Sequence, residues 1–292
     1  MHKAGFVNII GKPNVGKSTL MNALVGEKLS IVTPKAQTTR HRIISILNGD
    51  DYQIVFSDTP GIIEPGYKMQ ECMMTYIDEA FCDADVIIYL ADATDKSDAE
   101  KNVPEELVST SIPIIFVLNK IDKKNQTEIE EILLKWRKIL PNAEQLAISA
   151  LHKFNINSLT SLIVNLLPEN PPYYDKDTLT DRSTRFFVSE IIREKVLLLY
   201  QKEIPYCVEI DVNDFKEDNN IFRISATIYV IRNSQKVIII GKGGKSIKQL
   251  GTVARKDIEQ FLGKKVFLQL FVKVRKNWRN NTLLLKKFGY IR

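Results

Sequence analysis

The stretch Gly11-Lys12-Pro13-Asn14-Val15-Gly16-Lys17-Ser18 constrains the fold of this chain more than any other. It satisfies GxxxxGK[ST], a loop that works only between the end of a strand and the first turn of a helix. Both neighbours are present. The apolar run Phe6-Val7-Asn8-Ile9-Ile10 enters the loop, and Lys17–Val25 leaves it with apolar residues at three- and four-residue steps. The glycines permit a tight backbone path that brings successive N–H groups to phosphate oxygens, and the helix adds its N-terminal dipole. Lys17 supplies positive charge to β- and γ-phosphates, and Ser18 offers a hydroxyl to Mg²⁺. With Thr19, the whole loop is a candidate nucleotide-binding segment.

The chain continues the alternation. Tyr52–Ser57, Asp85–Ala91, Ile112–Leu118 and Gln145–Ile148 read as strands, separated by helical patterns at Gln70–Phe81, Ala99–Thr110, Glu128–Leu140 and Ile156–Leu167. Strands alternating with helices predict a doubly wound α/β domain with a mostly parallel sheet and its site at the carboxyl ends of the strands. Leu167-Pro168-Glu169-Asn170-Pro171-Pro172-Tyr173 breaks the pattern, because three prolines in five residues favour extended chain. This predicts a first domain over 1–173, a linker reaching about Asp181, and a second domain over 174–292. In the second, Phe186–Tyr200 is helical, and Val208–Phe215 and Ile221–Ile231 form a hairpin around Lys216–Asn220. Lys245–Phe261 is helical and Val266–Val274 is a third strand, giving a smaller α+β domain.

Three short strings sit at the ends of predicted strands. Asp58-Thr59-Pro60-Gly61 places a carboxylate to hold Mg²⁺ through water and the Gly61 N–H against a γ-phosphate, with Ile62 next. Asn119-Lys120-Ile121-Asp122 presents a carboxylate that accepts from guanine N1–H and N2–H₂, a donor pair adenine lacks. Ser149-Ala150-Leu151 fits a loop whose backbone N–H caps guanine O6. Four strings in this order predict GTP binding.

Charge divides the chain as well. Residues 1–173 carry a net −5 and residues 174–292 a net +11, and residues 219–292 hold 17 basic against 2 acidic side chains. Such a field favours a polyanion, either nucleic acid or an anionic membrane. No apolar stretch approaches the roughly 20 residues needed to span a bilayer, and Met1–Ala4 runs into the first apolar segment without a signal-peptide pattern. Cys72, Cys82 and Cys207 lack metal-ligand spacing and read as reduced cytoplasmic thiols.

The strings GKPNVGKS, KAQTTRHR, DTPG and NKID, followed by a basic domain with a GxxG loop, resemble the Era family of bacterial GTPases along essentially the whole chain. The resemblance implies a P-loop GTPase domain joined to a KH-type RNA-binding domain, with GTP and GDP, 16S ribosomal RNA and the 30S ribosomal subunit as partners. It implies a monomer in the cytoplasm, with a fraction at the inner membrane surface. It further implies that the Thr39 hydroxyl and carbonyl read Mg²⁺ and γ-phosphate, with Thr38 as the alternative. Catalysis would then involve Lys17, Thr39, Gly61 and Asn14, with Ser18, Thr39 and Asp58 around the metal. Ras-like GTPases follow the DxxG glycine with a water-orienting glutamine; Ile62 stands there, so slow intrinsic hydrolysis is expected. Asn14 either holds K⁺ against the phosphates, with carbonyls of the 30–38 loop, or only stabilises the loop turn. His41, between Arg40 and Arg42, reads as a contact residue on a mobile loop rather than a general base.

A second Gly-Lys-Ser occurs in Ile238-Ile239-Ile240-Gly241-Lys242-Gly243-Gly244-Lys245-Ser246-Ile247. A P-loop would need glycine at 239, where a β-branched isoleucine stands. Gly241-Lys242-Gly243-Gly244 instead matches GxxG, the KH loop that clamps about four single-stranded nucleotides between two helices. Periodicity alone makes Val237–Ile240 a strand, whereas the KH resemblance makes it the end of a helix and gives the type II order α-β-β-α-α-β. Lys245 and Lys248 flank the loop, and Lys273 and Arg275, with Lys276 and Arg279, are candidates to extend a phosphate track. Trp278 either stacks a base or belongs to the core. The leading expectation is a GTP-driven switch acting on RNA, and the alternative is a signalling GTPase on an anionic membrane. No nucleophilic cysteine or His/Asp constellation supports a second catalytic centre.

Overall fold

Runs such as Val86-Ile87-Ile88-Tyr89-Leu90 and Ile114-Ile115-Phe116-Val117-Leu118 have no polar alternation, as strands covered on both faces require. The computed structural model describes residues 1–95 and 103–291 and divides into two units. The first comprises Met1–Ser30, Thr39–Pro65 and Met73–Asp181; the second comprises Ile31–Thr38, Gly66–Cys72 and the chain from Arg182 onward.

In the first unit the order is β1 (Lys3–Ile10), α1 (Lys17–Val25), β2 (Ile43–Asn48), β3 (Tyr52–Asp58), α2 (Lys68–Cys82), β4 (Val86–Asp92), α3 (Glu105–Ser109), β5 (Ile114–Asn119), α4 (Gln126–Ile139), β6 (Glu144–Ala147) and α5 (Ile156–Leu166), α2 beginning in the second unit's segment. The sheet order is β2-β3-β1-β4-β5-β6. Its pairings are parallel except β2 with β3. On one face Trp136 of α4 stacks on Phe116 at 4.5 Å and packs with Tyr89 and Ile77. On the other, α1 meets α5. The start of the predicted helix Ala99–Thr110 lies outside the described residues; its end is α3.

Strand β2 is absent from the sequence reading, which carries a loop through 30–42 and starts its next strand at Tyr52. The signal is Asn48-Gly49, a hairpin turn between Ile43–Asn48 and Tyr52. The outer edge of β2 is covered by the chain after the prolines. The Ile46 N–H donates to the Leu179 carbonyl at 2.9 Å, and the Thr180 hydroxyl donates to the Ile44 carbonyl at 2.6 Å. Buried Gln53 accepts from the N–H groups of Tyr173 and Tyr174. Residues 174–181 therefore stay with the first unit beyond the expected boundary at 173, and they blunt an edge that would otherwise be free to pair.

The second unit runs α6 (Thr184–Leu199), α7 (Ile204–Cys207), β7 (Glu209–Asp218), β8 (Ile221–Val230), α8 (Asn233–Ile240), α9 (Lys245–Leu262), β9 (Lys265–Val274) and α10 (Thr282–Lys287). Antiparallel β7-β8 and parallel β8-β9 form a three-stranded sheet with β9 at an edge. Apart from the short α7 and α10, which the sequence reading does not contain, this is the order α-β-β-α-α-β. The hairpin turn is tighter than expected: β7 continues to Asp218, leaving Asn219-Asn220 as the turn. Val237–Ile240 is helical, against its periodicity. Ile239 alone of the four is fully buried, and its carbonyl accepts from the Tyr200 hydroxyl at 2.9 Å.

The core lies between α6, α8 and α9 and the inward residues of the sheet, including Phe222, Ile224, Ile228, Val266 and Val272. Trp278 is fully buried, donates its ring N–H to the Cys207 carbonyl at 3.1 Å and meets Phe288 edge-on. It is a core residue and no base-stacking platform. Trp278→Ala should destabilise the second unit by about 3–5 kcal/mol. Denaturant unfolding checks this; unchanged stability with weakened RNA binding would contradict it.

Candidate nucleotide site and nucleic-acid interface

The loop between β1 and α1 takes its shape from residues with unusual backbone freedom. Gly16 has φ 104°, and a Cβ there would lie 2.4 Å from the Asn119 amide nitrogen. Asn14 is left-handed at φ 64°, a conformation asparagine tolerates. A Cβ at Gly61 would fall 2.8 Å from Pro13, so the Asp58–Gly61 turn approaches the loop as only glycine allows. The Ile62 N–H donates to the Gly11 carbonyl at 3.3 Å, and the Thr59 hydroxyl to the Ile9 carbonyl at 2.8 Å.

Three oxygens converge beside the loop. The Ser18 hydroxyl donates to Asp58 Oδ2 at 2.7 Å and lies 2.8 Å from Thr39 Oγ1, which is 3.3 Å from the same carboxylate. Thr38 takes another direction: its hydroxyl donates to the Lys35 carbonyl and meets Thr33, both in the 31–38 segment of the second unit. Hard oxygen donors of this kind suit Mg²⁺, so the residues present fit that ion. Lys17 Nζ donates to the Gly11 and Lys12 carbonyls at 3.0 and 2.9 Å. Burial dominates both charges, pulling Lys17 down to about 8 and pushing Asp58 up; their mutual attraction, and for Asp58 the hydroxyls, only partly offset it. Lys12 pairs with Asp95 at 3.1 Å, and Val15 is buried beneath the loop. Thr19 is half-buried in the first turn of α1.

The base-side strings meet through side chains. The Asn119 amide donates to the Val15 carbonyl at 2.9 Å and accepts from the Ala150 N–H at 3.0 Å. Lys120, left-handed at φ 63°, donates to the Asn14 carbonyl at 2.7 Å and to Asp92. Asp92 is a partner the sequence reading does not contain. Asp122 accepts from the Ser149 hydroxyl at 2.6 Å, which holds its carboxyl below the usual range and keeps it an ionised acceptor. Ile121 and Asp122 open a short 3₁₀ turn, and Leu151 is 71% exposed on the following loop.

One local expectation is corrected. Arg40, His41 and Arg42 are buried rather than displayed on a mobile loop. Arg42 donates to Ser57 and Asp83 and leads into β2, and His41 packs near Tyr76. Asp83 is distant in sequence, so local reading could not supply this partner.

In the second unit, Gly241 has φ 72° and ψ 172°, and a Cβ there would lie 2.2 Å from the Ser246 hydroxyl. Gly243 and Gly244 are left-handed, and nothing lies within 4 Å of where their Cβ atoms would be. The loop is tight at its first glycine and open at its last two, with exposed Lys242 and Lys245 beside them. Beyond it, a groove of about 410 Å³ runs between α9 and β9, lined by Ile247, Lys248, Gly251, Arg255, Leu268 and Leu270 among others. Gly251 was the available signal, since glycine inside a helix costs about 1 kcal/mol and asks for a reason. Its missing side chain leaves the groove floor open toward Leu270. Lys273 and Arg275 do not line this groove: Lys273 stands on the opposite sheet face, and Arg275 follows β9, donating its N–H to the Val230 carbonyl.

Asp122→Asn should lower GTP affinity roughly 100-fold, because an amide loses the charged double acceptor. It should gain affinity for xanthosine triphosphate, whose base has a carbonyl where guanine has an amino group. Competition binding checks this; unchanged preference for GTP would contradict it.

Residues 6–120 match the family described as 50S ribosome-binding GTPase, and residues 203–279 match the KH domain. The GTPase Era of Clostridium kluyveri is 44% identical over 292 residues, covering 99% of this chain and all of that protein. That of Clostridium perfringens is also 44% identical, with 99% of each chain covered. A crystal structure of Era with MgGDPNP and nucleotides 1506-1542 of 16S ribosomal RNA has a TM-score of 0.94 and 38% identity, covering both chains fully. The structure of a single-residue variant of Aquifex aeolicus Era bound to GDP.AlF4- has a TM-score of 0.93 and 38% identity, covering 99% of this chain and all of that one. A GTPase-family match followed by a KH-domain match, with relatives aligned over essentially the whole length of both chains, shows that the chain belongs to the Era family of GTPases.

Proposed function

We propose that this GTPase is a molecular switch that binds the 3′ end of 16S ribosomal RNA through its second unit and assists assembly of the 30S subunit. The observation that carries the reading is the pairing, in one chain, of the Asp122-walled phosphate loop with a lysine-flanked GxxG loop opening on a groove. The solved relative bound to a GTP analogue and a 16S fragment supports the choice of RNA. The membrane-surface reading has no observation of its own, and no helix among the described residues is long and apolar enough to cross a bilayer.

In this reading Gly11–Thr19 wraps the phosphates, Lys17 neutralises them, and Ser18, Thr39 and Asp58 hold Mg²⁺, which supplies positive charge to the leaving group. The Gly61 N–H reads the γ-phosphate, and Asn119, Asp122 and the 149–151 loop fix guanine. With Ile62 beside the DxxG glycine, no side chain there orients the water, so the intrinsic rate is slow. Thr39 lies in the first unit and Thr38 in the second, where Arg193 donates to the Thr38 carbonyl and Lys35 to carbonyls at the end of α6.

Replacing both Lys242 and Gly243 by Asp should cut affinity for a 3′-end oligonucleotide at least tenfold and leave GTP affinity unchanged. Equal loss of both, measured by titration, would contradict the division of labour. If Asn14 holds K⁺ as well as turning the loop, hydrolysis should run several-fold faster in potassium than in sodium buffer. Asn14→Gly, which keeps the left-handed turn, should abolish that difference at unchanged GTP affinity. Equal rates in both salts would remove K⁺ from the account.

A further inference from the structure

The groove between α9 and β9 lies on the helix-covered face of the second sheet and meets the sheet edge at Phe267. Along β9, Lys265, Phe267, Gln269, Phe271 and Lys273 alternate onto the other face, and all five are exposed. Phe267 and Phe271 are 47% and 49% exposed on an edge strand, where folded proteins usually avoid aromatic surface. At four residues' spacing they stand about 13 Å apart, with the Gln269 amide between them. The neighbouring strand places Arg223 opposite Phe267 and Ser225 opposite Gln269. Arg223 lies over the Phe267 ring, 5.9 Å from its centroid.

Among the described residues, this face is covered toward its far end, where Thr227 and Tyr229 are buried. There Phe288 packs on Tyr229, Lys287 pairs with Asp211, and the Tyr290 hydroxyl donates to Glu209. Acidic groups near the open part are already engaged in part, Asp218 with Arg223 and Glu217 with Lys264, while Asp214 stands on the distant strand β7. Lys265 and Lys273 close the two ends of the aromatic row. Cations bracketing exposed aromatic rings complement a chain of phosphates carrying planar bases, and an aromatic row of this kind stacks bases whatever their sequence. Phe267 also borders the groove on the other side of β9, so a strand leaving the groove over this edge meets the row directly.

We propose that the outer face of the second sheet, from Lys265 to Lys273, is a second surface for single-stranded RNA. Bases stack on Phe267 and Phe271, while Lys265, Lys273 and Arg223 hold the flanking phosphates. The proposal rests on the reading of the second unit as RNA-binding and extends it to nucleotides beyond those in the groove.

The test compares the full-length protein with Phe271→Leu, which keeps an apolar side chain, removes the ring and lies outside the groove. Two oligonucleotides from the 3′ end of 16S ribosomal RNA are used, one of about four nucleotides that fills the groove alone and one about three times longer. Affinity for the short RNA should be unchanged and affinity for the longer RNA should fall about tenfold. Ultraviolet cross-linking of the unaltered protein to the longer RNA should yield adducts on the peptide holding Phe267 and Phe271, and none with the short RNA at Phe271. Equal affinity of both proteins for the longer RNA, with no adduct at Phe271, would overturn the second surface. Loss of binding to phosphatidylserine vesicles at unchanged RNA affinity would overturn it also and give the face to a membrane. Should neither RNA bind the unaltered protein, the RNA reading itself fails, a result distinct from the other two.

Discussion

One side-chain amide sets the spacing of the nucleotide site. Asn119 donates to the Val15 carbonyl in the phosphate loop and accepts from the Ala150 N–H in the loop after β6. It ends β5, whose position is fixed by parallel neighbours on both sides. The arrangement exists because Gly16 has no Cβ; a methyl group there would overlap the Asn119 amide. Lys120 adds a second tie to the Asn14 carbonyl and Asp92, and Asp122 is aimed by the Ser149 hydroxyl. These ties hold the phosphate loop, the 119–122 turn and the 149–151 loop at fixed spacing through hydrogen bonds within the protein itself.

The second glycine loop is built differently. The loop after β1 carries a buried lysine and leads into a helix N-terminus, whereas the GxxG loop presents open glycines between two helices with solvated lysines around them. A buried cation suits a compact triphosphate, and an open loop beside a long groove suits a backbone that enters at one side and leaves at the other. The Gly-Lys-Ser shared by the two sites ends the likeness.

Much of this was legible in the sequence, because the glycines, the strand-end strings and the charge division each act locally. The residues not legible were those whose reason lies across the fold. Arg40 and Arg42 look like surface cations until Asp83 and Ser57 are brought beside them. Val237–Ile240 carries strand-like residues but ends a helix that faces the core, with Ile239 alone of the four fully buried. Lys273 looked like part of the GxxG track, but strand parity turns it to the other sheet face. Trp278 offered two readings, and its bond to the Cys207 carbonyl decided for the core. Strand β2 was the one element whose signal, Asn48-Gly49, lay in plain view.

The central claim is that nucleotide and RNA occupy separate sites on separate units. Hydrogen–deuterium exchange of the full-length protein, with a GTP analogue alone and with a 3′-end RNA alone, tests it most directly. The analogue should protect amides of 11–19, 58–62 and 119–122, and the RNA those of 241–255 and 266–273. RNA protection confined to the phosphate loop, with the GxxG loop and β9 unaffected, would contradict the account.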